Sequence, residues 1–480
     1  MDGSQGAPRP FLVAGEWRTG DGTFHVTSPY DGEAVATVGV PTDADVEDAV
    51  AAAAEAFRSS RTMPLHARAE ALSHVSRRIA ERADEAALLV AREGGKPLKW
   101  ARVEVARAVS TFRWAAEEVR RTGGEVLRLD TEPSAEGRAA VVRRFPVGPV
   151  LAISPFNFPL NLVAHKVAPA IAVGAPVVVK PATATPLSAL LLGELVAETG
   201  LPPGMLSVLP ISGARTEPLV HDPRLPKVSF TGSSEVGWRI RGAAPRKRFT
   251  LELGGNAGVI VHDDADVAHA AKRAAFGGYY QAGQSCISVQ RILVQDSVYD
   301  DFAARFVEEV QALVVGDPLR PETDVGPLID RPALDRVSAW VDEAVAAGAE
   351  VLCGGKREDP FYVPTVLAAT ERYMKVRCEE VFGPVTTVGR YATFEEALAE
   401  LNDSRYGLQA GVFTSSVERA FQAHRELEVG GVILGDVPSF RSDQMPYGGT
   451  KDSGRGREGV RYAMEEMTDT RILVLSQVPL

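Results

Sequence analysis

The sequence predicts an α/β fold in which a doubly wound unit and then a second α/β unit follow a mainly helical N-terminal stretch. From residue 148 onward, short β-branched runs alternate with amphipathic helical segments, the pattern of a parallel sheet covered by helices. The alternation restarts after Ala257, which indicates a second α/β unit. At 480 residues the chain is too long for one ordinary hydrophobic core, so more than one domain is expected.

Helices are predicted for most of the chain before residue 148. Residues 43–57 and 64–93 are rich in alanine and carry apolar residues at helical spacing, and Pro64 suits a first helical turn. A further helix is expected from about residue 99 to residue 121.

The predicted strands are short apolar runs. Those of the first sheet are 149–154, 175–180, 207–210, 227–230 and 249–253. The second unit is expected to contain strands near 289–294 and 411–414. Residues 471–478 resemble one isolated strand, which needs a partner sheet that another subunit could supply.

Composition and charge exclude several classes of function. The net charge of −11, with acidic and basic residues interspersed, argues against a nucleic-acid partner. The 3 cysteines are widely spaced and form neither a disulfide framework nor a zinc pattern, which favours a reducing compartment. Residues 1–10 lack a signal-peptide design, and no apolar run is long enough to span a membrane. We therefore expect a cytoplasmic protein without a metal site.

Cys286 is the main candidate for a catalytic nucleophile. It lies among small, uncharged residues in the segment 283–288, where solvent and substrate can reach a thiol. Glu252 ends an upstream strand-like segment and could take a proton from this thiol or from water, the pairing that covalent acyl chemistry needs. A lone cysteine is more often a packing residue, which is how we interpret Cys353, whereas carboxylates beside Cys378 disfavour a thiolate there.

Polar residues follow the predicted strands of the first sheet at the edge where parallel sheets bind ligands. They are Ser154, Asn157, Lys180, Thr231, Gly232, Ser233 and Glu252. A lysine that closes an apolar strand either extends to solvent or binds an anion or a sugar hydroxyl, and both interpretations of Lys180 stay open. Phosphates are expected at Gly232 and Ser233, because glycine permits close approach and a helix begins near Ser234.

One motif near the C-terminus has the wrong context for its usual function. Residues 454–459 read Gly-Arg-Gly-Arg-Glu-Gly and match the G-x-G-x-x-G pattern of dinucleotide sites. No strand is predicted before the motif, and too little chain follows for a βαβ unit. We therefore interpret it as a glycine-rich loop.

Together these segments resemble the aldehyde dehydrogenase superfamily from residue 28 to residue 451. The matching motifs, in order, are Pro-Phe-Asn-Phe-Pro (155–159), Lys-Pro (180–181), Phe-Thr-Gly-Ser (230–233), Glu-Leu-Gly-Gly (252–255), Gly-Gln-Ser-Cys (283–286) and Glu-Val-Phe-Gly-Pro (380–384). Several independent motifs in the right order make the resemblance specific.

The resemblance implies a domain plan and an activity. It implies a Rossmann-type cofactor domain in residues 1–122 and 145–253, an α/β catalytic domain in 254–445, and a β oligomerisation element in 123–144 and 468–480. It further implies NAD- or NADP-dependent oxidation of an aldehyde to a carboxylic acid by a homodimer or homotetramer.

The resemblance also implies catalytic roles. Cys286 looks like the nucleophile that forms a thiohemiacetal and, after hydride transfer, a thioester. Asn157 and the backbone N–H of Cys286 look like the oxyanion hole. Removing one such donor typically costs ~10²–10³ in rate. Glu252 looks like the base that activates the hydrolytic water.

Cofactor roles follow in the same way. Glu380 resembles the carboxylate that holds the nicotinamide ribose beside Phe382, Lys180 a ligand of the adenosine ribose, and Ser233 a pyrophosphate contact near Ser154 and Gly232. NAD-preferring relatives often carry a glutamate three residues after the strand-end lysine, where this chain has Thr183. We therefore favour NADP or dual use, with Arg215 as either a further phosphate ligand or a surface arginine.

The candidate substrate residues are Arg107, Phe158, Ser285 and Arg441. Relatives that handle phosphate often carry an arginine where this chain has Ser285. Arg107 and Arg441, however, occupy places where such relatives hold an anion. A small aldehyde bearing a carboxylate or another anion is therefore expected, and surface salt bridging by both arginines is the alternative.

Three other functions stay open. A CoA-acylating enzyme would resolve the thioester with CoA, but such enzymes generally lack a base at the place of Glu252. A nucleotide-binding oligomer without turnover would be free to lose Cys286, Glu252 and Asn157, all of which are present. A thiol esterase would hydrolyse activated esters without reducing a nicotinamide.

Overall fold

The structure is a computed structural model that describes residues 7–477. The sequence expectations for residues 1–6 and 478–480 lie outside the described residues. The helices are α1 (Asp43–Ser60), α2 (Leu65–Glu81), α3 (Ala83–Gly94), α4 (Leu98–Arg121), α5 (Asn161–Val173), α6 (Leu187–Ala197), α7 (Gly213–His221), α8 (Ser234–Ala243), α9 (Val267–Tyr279), α10 (Tyr299–Gln311), α11 (Arg331–Ala346), α12 (Lys375–Cys378), α13 (Phe394–Asn402), α14 (Val417–Glu426) and α15 (Val460–Glu466).

The strands are β1 (Phe11–Val13), β2 (Glu16–Arg18), β3 (Thr23–Thr27), β4 (Ala34–Gly39), β5 (Glu125–Arg128), β6 (Arg138–Pro146), β7 (Val150–Ile153), β8 (Val177–Lys180), β9 (Leu206–Val208), β10 (Lys227–Thr231), β11 (Arg248–Glu252), β12 (Ala257–Val261), β13 (Val289–Gln295), β14 (Glu350–Cys353), β15 (Arg357–Glu358), β16 (Phe361–Tyr362), β17 (Thr365–Ala368), β18 (Val385–Tyr391), β19 (Tyr406–Gly407), β20 (Gln409–Phe413), β21 (Gly431–Leu434), β22 (Thr450–Lys451), β23 (Gly454–Arg455) and β24 (Thr468–Ser476). Every strand that the sequence predicts has a counterpart here.

The first sheet has the strand order β2-β1-β9-β8-β7-β10-β11-β23, and its pairs from β9 to β11 are parallel. Strands β7, β8 and β10 are buried along their whole length, as expected for a parallel sheet with helices on both faces. The register pairs Ile153 with Lys180 and Thr231 with Glu252. The strand-end residues singled out in the sequence therefore lie along one edge of one sheet.

The second sheet, in the order β14-β17-β18-β13-β12-β20-β21, confirms the second α/β unit. Its first strand in the chain, β12, begins at Ala257, where the alternating pattern restarts. Strands β12, β13, β18 and β20 are parallel, and only the edge strand β14 runs antiparallel to its neighbour. Cys353, at the end of β14, is buried in the core of this unit, as its sequence context predicts.

The third sheet, β24-β6-β5, corrects the expectation of an isolated C-terminal strand. Strand β24 pairs antiparallel with β6 over its full length, from Thr468 opposite Pro146 to Ser476 opposite Arg138. The partner sheet therefore belongs to the same chain. The sequence hides the pairing because β6 lies more than three hundred residues upstream of β24, and local patterns carry no information about such contacts.

The N-terminal helices follow the sequence prediction with one interruption. The predicted helical stretch 64–93 forms two helices that meet at Arg82, whose φ of −104° and ψ of 25° are not helical. After α3, Gly95 adopts a φ of 65°, the left-handed conformation in which helices commonly end. Within residues 7–477, no helix combines the length and the apolar character that a membrane span requires.

Candidate active site

Cys286 lies in a loop that an unusual backbone conformation and close packing hold in place. Just before it, Gln281 and Ala282 adopt φ values of 55° and 54°, which cost energy for residues that carry a side chain. A Cβ added at Gly255 would collide with the carbonyl oxygen of Cys286. Because Gly255 follows Glu252 closely, the nucleophile and base candidates lie on segments that touch each other.

The thiol of Cys286 is half-buried and makes one hydrogen-bonding contact. Its Sγ lies 3.0 Å from the hydroxyl oxygen of Tyr447. Burial raises the pKa of the thiol to about 12, and the hydrogen bond with Tyr447 acts in the opposite direction. In this state the thiol is protonated at neutral pH, so nucleophilic attack needs a proton acceptor and a means of stabilising the thiolate.

Glu252 ends β11 with a buried carboxyl group. Neither of its carboxyl oxygens has a hydrogen-bond partner among residues 7–477. Burial, reinforced by the charge of Glu458, raises the pKa of Glu252 well above its usual range. A carboxyl group in this condition can accept and release a proton closer to neutral pH than an exposed glutamate can.

A buried set of paired charges, Lys166, Arg441 and Glu458, lies beside Glu252, and we refer to it as the charged cluster. Glu458 accepts hydrogen bonds from Lys166 at 2.9 Å and from Arg441 at 3.0 Å. Although burial opposes the change, these two cations lower the pKa of Glu458 to about 2. Glu458 is therefore ionised throughout the physiological range, and its charge acts on Glu252 at every such pH.

Asn157 braces the Cys286 loop from the end of β7. Its side-chain Nδ2 donates to the backbone carbonyl oxygen of Gln284 at 3.0 Å, and its backbone carbonyl oxygen accepts a hydrogen bond from Gln281 Nε2. The amide group has a second N–H that this bond does not use. Asn157 can therefore hold the loop and still donate to an oxygen atom near Cys286.

Glu380 and Phe382 lie opposite the Cys286 loop. Glu380 Oε1 accepts a hydrogen bond from the backbone N–H of Gly255 at 2.9 Å, and burial raises the pKa of this carboxyl group to about 7. Phe382 has a φ of 49° and packs edge-on against Phe156, with ring centroids 5.8 Å apart. Both candidates therefore line the same cleft as Cys286.

The other cofactor candidates lie at the carboxyl edge of the first sheet and have free polar groups. Ser154 Oγ is buried without a hydrogen-bond partner in the described part of the chain. Burial lowers the pKa of Lys180, whose amino group likewise pairs with no residue between 7 and 477. Ser233 caps α8 by position, yet its side chain makes no capping bond, and Thr183 is exposed. These groups and the N-terminus of α8 fit the hydroxyl and phosphate groups of a dinucleotide.

The arginine residues proposed for substrate binding are already engaged by carboxylates. Arg107 donates to Asp443 Oδ1 from Nη2 at 2.9 Å and from Nε at 3.2 Å, and Arg441 pairs with Glu458. Each guanidinium keeps its Nη1 without a partner among the described residues. The guanidinium of Arg107, on α4, lies 6.0 Å from the ring centroid of Phe158.

The two remaining candidates are also hydrogen-bonded. Ser285 Oγ accepts a hydrogen bond from the Tyr280 hydroxyl at 2.7 Å, which places Ser285 in the wall of the cleft. Arg215 donates to the Pro41 carbonyl and to Asp43 Oδ1, each at 2.6 Å, so it is a structural arginine of the surface. Because Arg215 is engaged on the surface, the expected cofactor preference rests on Thr183, the residue three positions after Lys180.

Sequence reasoning missed several residues that the fold brings to the site. They are His165, Lys166, Asp443, Tyr447 and Glu458. A local signal existed for two of them, because His165 and Lys166 interrupt an apolar helix in which all 13 residues are buried. A buried lysine in such a helix requires a partner elsewhere in the fold. Within residues 7–477, no group of His, Cys, Asp and Glu residues is placed to hold a metal ion.

A family model and one close relative place this architecture among known proteins. The model, described as "Aldehyde dehydrogenase family", matches residues 17–473. The chain is 44% identical over 465 residues to a 3-sulfolactaldehyde dehydrogenase of Priestia aryabhattai, which covers 97% of each chain.

Two solved structures are similar over nearly the full length. Aldehyde dehydrogenase 21 from Physcomitrella patens, in complex with the reaction product succinate, has a TM-score of 0.96 and 43% identity over 98% of this chain and 99% of that one. An NADP-dependent glyceraldehyde-3-phosphate dehydrogenase from Bacillus halodurans, complexed with NADP, has a TM-score of 0.95 and 35% identity over 98% and 100%. The resemblance and the fold class inferred from the sequence are confirmed.

Proposed function

The chain belongs to the aldehyde dehydrogenase family and is an NAD(P)-dependent oxidoreductase, and from that premise we propose its reaction. It oxidises a small anionic aldehyde to a carboxylic acid through a thioester on Cys286, which water then hydrolyses. The observation that carries the proposal is the buried, unpartnered carboxyl group of Glu252 beside the Cys286 loop. Transfer of the acyl group to CoA would not need a base for water at this place.

In the first step, the thiol proton of Cys286 passes to Glu252 and from there to solvent, and the thiolate then attacks the aldehyde carbon to form a C–S bond. The π electrons of the carbonyl move to its oxygen, which accepts hydrogen bonds from Asn157 Nδ2 and from the backbone N–H of Cys286. That backbone N–H makes no hydrogen bond to another backbone group in the described part of the chain. A bound NAD or NADP would supply the acceptor for the hydride that leaves the same carbon, and Cys286 would then carry a thioester.

In the second step, Glu252 removes a proton from a water molecule, whose oxygen attacks the thioester carbonyl carbon. The C–S bond breaks, the carboxylic acid leaves and the sulfur of Cys286 is regenerated. Glu252 has to be ionised to act as this base, and its raised pKa makes it a stronger base than an exposed glutamate. Lys166 and Arg441 favour its ionised form, whereas burial and Glu458 oppose it.

The anionic class of the substrate follows from the free donors of the two arginines and from the relatives. Arg107 and Arg441 are oriented by carboxylates and keep Nη1 free, which suits an anionic group at the far end of a small aldehyde. One relative is named for 3-sulfolactaldehyde, and the similar structure of aldehyde dehydrogenase 21 holds the reaction product succinate; both of these compounds are anions.

For the cofactor, we propose use of NADP or of both nicotinamides. Thr183 brings no carboxylate close to Lys180, so a 2′-phosphate meets no repulsion there. A Thr183→Glu variant should lower the ratio of kcat/KM for NADP to that for NAD about tenfold or more. An unchanged ratio would contradict this placement of the phosphate.

The reaction is tested by following reduced-nicotinamide formation with neutral and anionic aldehydes in the wild type, Cys286→Ala and Glu252→Gln. The first variant should be inactive. The second should release about one reduced nicotinamide per subunit and then stall, with the acyl adduct visible by mass spectrometry of the intact protein. Full turnover by Glu252→Gln would contradict water activation by this residue, and a stalled wild type restarted by CoA would favour the CoA-acylating alternative.

The substrate class has its own test within the same panel. Arg107→Ala should raise KM for anionic aldehydes by about tenfold or more, because a charged hydrogen bond is typically worth ~1.5–3 kcal/mol. The KM for neutral aldehydes should stay close to the wild-type value. Equal effects on both classes would show that Arg107 supports the fold and does not select the anion.

We propose that the domain division follows the three sheets and that the β24-β6-β5 sheet joins subunits into a homodimer or homotetramer. This sheet exposes apolar side chains at Val126 (69%), Leu127 (39%), Ile472 (58%), Leu473 (60%) and Val474 (47%). Such a patch on the surface of one chain is typical of an interface. A Leu473→Glu variant should have a lower mass by light scattering, and an unchanged mass would contradict the role of this surface.

We place the protein in the cytoplasm, because Cys286, Cys353 and Cys378 are all free thiols. Fractionation of cells that produce it tests this placement. Recovery outside the cytoplasmic fraction would overturn it.

A further inference from the structure

We propose that the hydroxyl group of Tyr447 is a catalytic hydrogen-bond donor that positions Sγ of Cys286 and stabilises its thiolate before the aldehyde binds. The inference rests on the proposed role of Cys286 as nucleophile. The contact that carries it is the 3.0 Å separation between the two atoms. Among residues 7–477, Tyr447 is the only side chain within hydrogen-bonding distance of this sulfur.

The Tyr447 ring is fixed from three directions, so its hydroxyl group is preorganised. Its backbone N–H and carbonyl pair with the backbone of Glu458 at 3.0 and 2.7 Å. The guanidinium of Arg441 lies 3.8 Å from the ring centroid, and Ile287 and Leu408 form a small hydrophobic cluster with the ring against Cys286. The hydroxyl oxygen therefore reaches the sulfur without a loss of side-chain freedom when the thiolate forms.

The direction of the hydrogen bond follows from the protonation states. Either atom can donate while the sulfur is a thiol, but a thiolate has no hydrogen, so Tyr447 must then be the donor. Burial raises the pKa of the Tyr447 hydroxyl well above its usual range, so this group keeps its proton when Cys286 ionises. Arg441 adds a positive charge over the ring, which also favours the anionic sulfur.

This arrangement has a kinetic consequence that a merely structural role would not produce. A hydrogen bond to a thiolate is charge-assisted, whereas the sulfur of the covalent adduct is neutral and accepts weakly. Loss of the donor should therefore reduce the thiolate fraction at pH values below the pKa of Cys286. Above that pKa the thiolate forms in either case, and the rates of the two proteins should converge.

The test uses alkylation of Cys286 by iodoacetamide as a function of pH, which needs no turnover and so stands apart from the proposed reaction. Labelling of the Cys286→Ala protein is subtracted to remove Cys353 and Cys378. In Tyr447→Phe, the midpoint of the profile should move upward by about one pH unit or more, which corresponds to roughly tenfold slower alkylation near neutral pH. In this alkylation, the Cys286 thiolate forms an S–C bond as iodide leaves.

The matched control is Tyr362→Phe. Tyr362 is also buried, and its hydroxyl has no hydrogen-bond partner in the described part of the chain, so its loss should leave the profile unchanged. A Tyr447→Phe profile that superimposes on those of the wild type and the control would overturn the proposal. If Tyr447→Phe does not fold, 3-fluorotyrosine at position 447 provides the test. Its more acidic hydroxyl should move the midpoint of the alkylation profile downward. A midpoint that does not move would overturn the proposal equally.

Discussion

Two groups of buried polar residues lie near the carboxyl edge of the first sheet, and they differ in whether they have hydrogen-bond partners among the described residues. Ser154, Lys180 and Glu252 lie at strand ends of the first sheet and have no hydrogen-bond partner in the part of the chain described. In the charged cluster, by contrast, Lys166 and Arg441 both pair with Glu458. A buried polar group without a partner costs free energy, so its presence points to a ligand or a proton that it meets during function.

Unpartnered and paired polar residues therefore have different functions in the site. In the proposed reaction, the unpartnered groups bind molecules that enter and leave the site, namely the cofactor and the hydrolytic water. The paired groups provide a fixed field, because each charge is held by its counter-charge before any substrate arrives. Replacing a member of the first group should therefore affect binding and chemistry more than stability, and replacing a member of the second should affect stability first.

The largest expected effect comes from breaking the charged cluster. Glu458→Gln leaves Lys166 and Arg441 buried without their counter-charge, which typically costs about 3–5 kcal/mol of the free energy of unfolding. Urea unfolding measures the loss. Glu379→Gln is the control, because Glu379 pairs with Arg405 at 3.5 Å on the surface and should contribute under about 1 kcal/mol. Similar losses in both variants would remove the distinction between the cluster and a surface pair.

An intermediate effect is expected from replacing Lys180, which we expect to bind the cofactor. Lys180→Met removes a desolvated charge, so the free energy of unfolding should stay the same or rise, while Kd for the cofactor should increase about tenfold or more. Lys247→Met should have the opposite effect, because Lys247 Nζ donates a hydrogen bond to the backbone carbonyl oxygen of Asp222 at 2.6 Å. It should lower stability and leave cofactor affinity unchanged. Calorimetric binding and thermal unfolding of both variants would show whether the two lysines differ in this way.

A further effect concerns the pH dependence of stability. The pKa of Glu380 is raised by burial from 4.5 to about 7, so the folded protein keeps a proton that the unfolded chain has already lost. Stability therefore falls as pH rises from 4.5 to about 7. Glu380→Gln keeps an acceptor for the Gly255 N–H and removes this loss.

Thermal melting at several pH values measures the difference. The Tm of Glu380→Gln should exceed that of the wild type by an amount that grows across this window and is absent below it. Glu371→Gln, at an exposed position, controls for the loss of one negative charge. A constant difference at all pH values would contradict a raised pKa at Glu380.

The sequence predicted the residues that lie at the ends of regular elements and missed those whose partners are remote. Lys180 and Glu252 close apolar strands, and Cys286 lies in a specific motif, so local pattern was enough to single out the sheet edge and the candidate nucleophile. Lys166 and Glu458 are 292 positions apart, and no local pattern links a lysine in an apolar helix to a glutamate in a glycine-rich loop. Residues 454–459 do follow a short strand, β22, and they contain β23, so the expectation that no strand precedes the motif was wrong. Interpreting the motif only as a glycine-rich loop also left the carboxylate of Glu458 unnoticed. A long separation in the sequence also explains why β24 was predicted to be isolated, because its partner strand β6 lies far upstream.

Strands β23 and β24 have a consequence for biosynthesis. Strand β23 closes one edge of the first sheet beside Glu252, and β24 completes the sheet that contains β6. Tyr447 and Glu458 lie between or next to these strands in the sequence. Because translation proceeds from the N-terminus and domains fold as they emerge, the first sheet can form while the cleft still lacks this side. A nascent chain can therefore bury most of its core on the ribosome, yet the thiol of Cys286 acquires its full set of neighbours only after residues 447–476 have been synthesised.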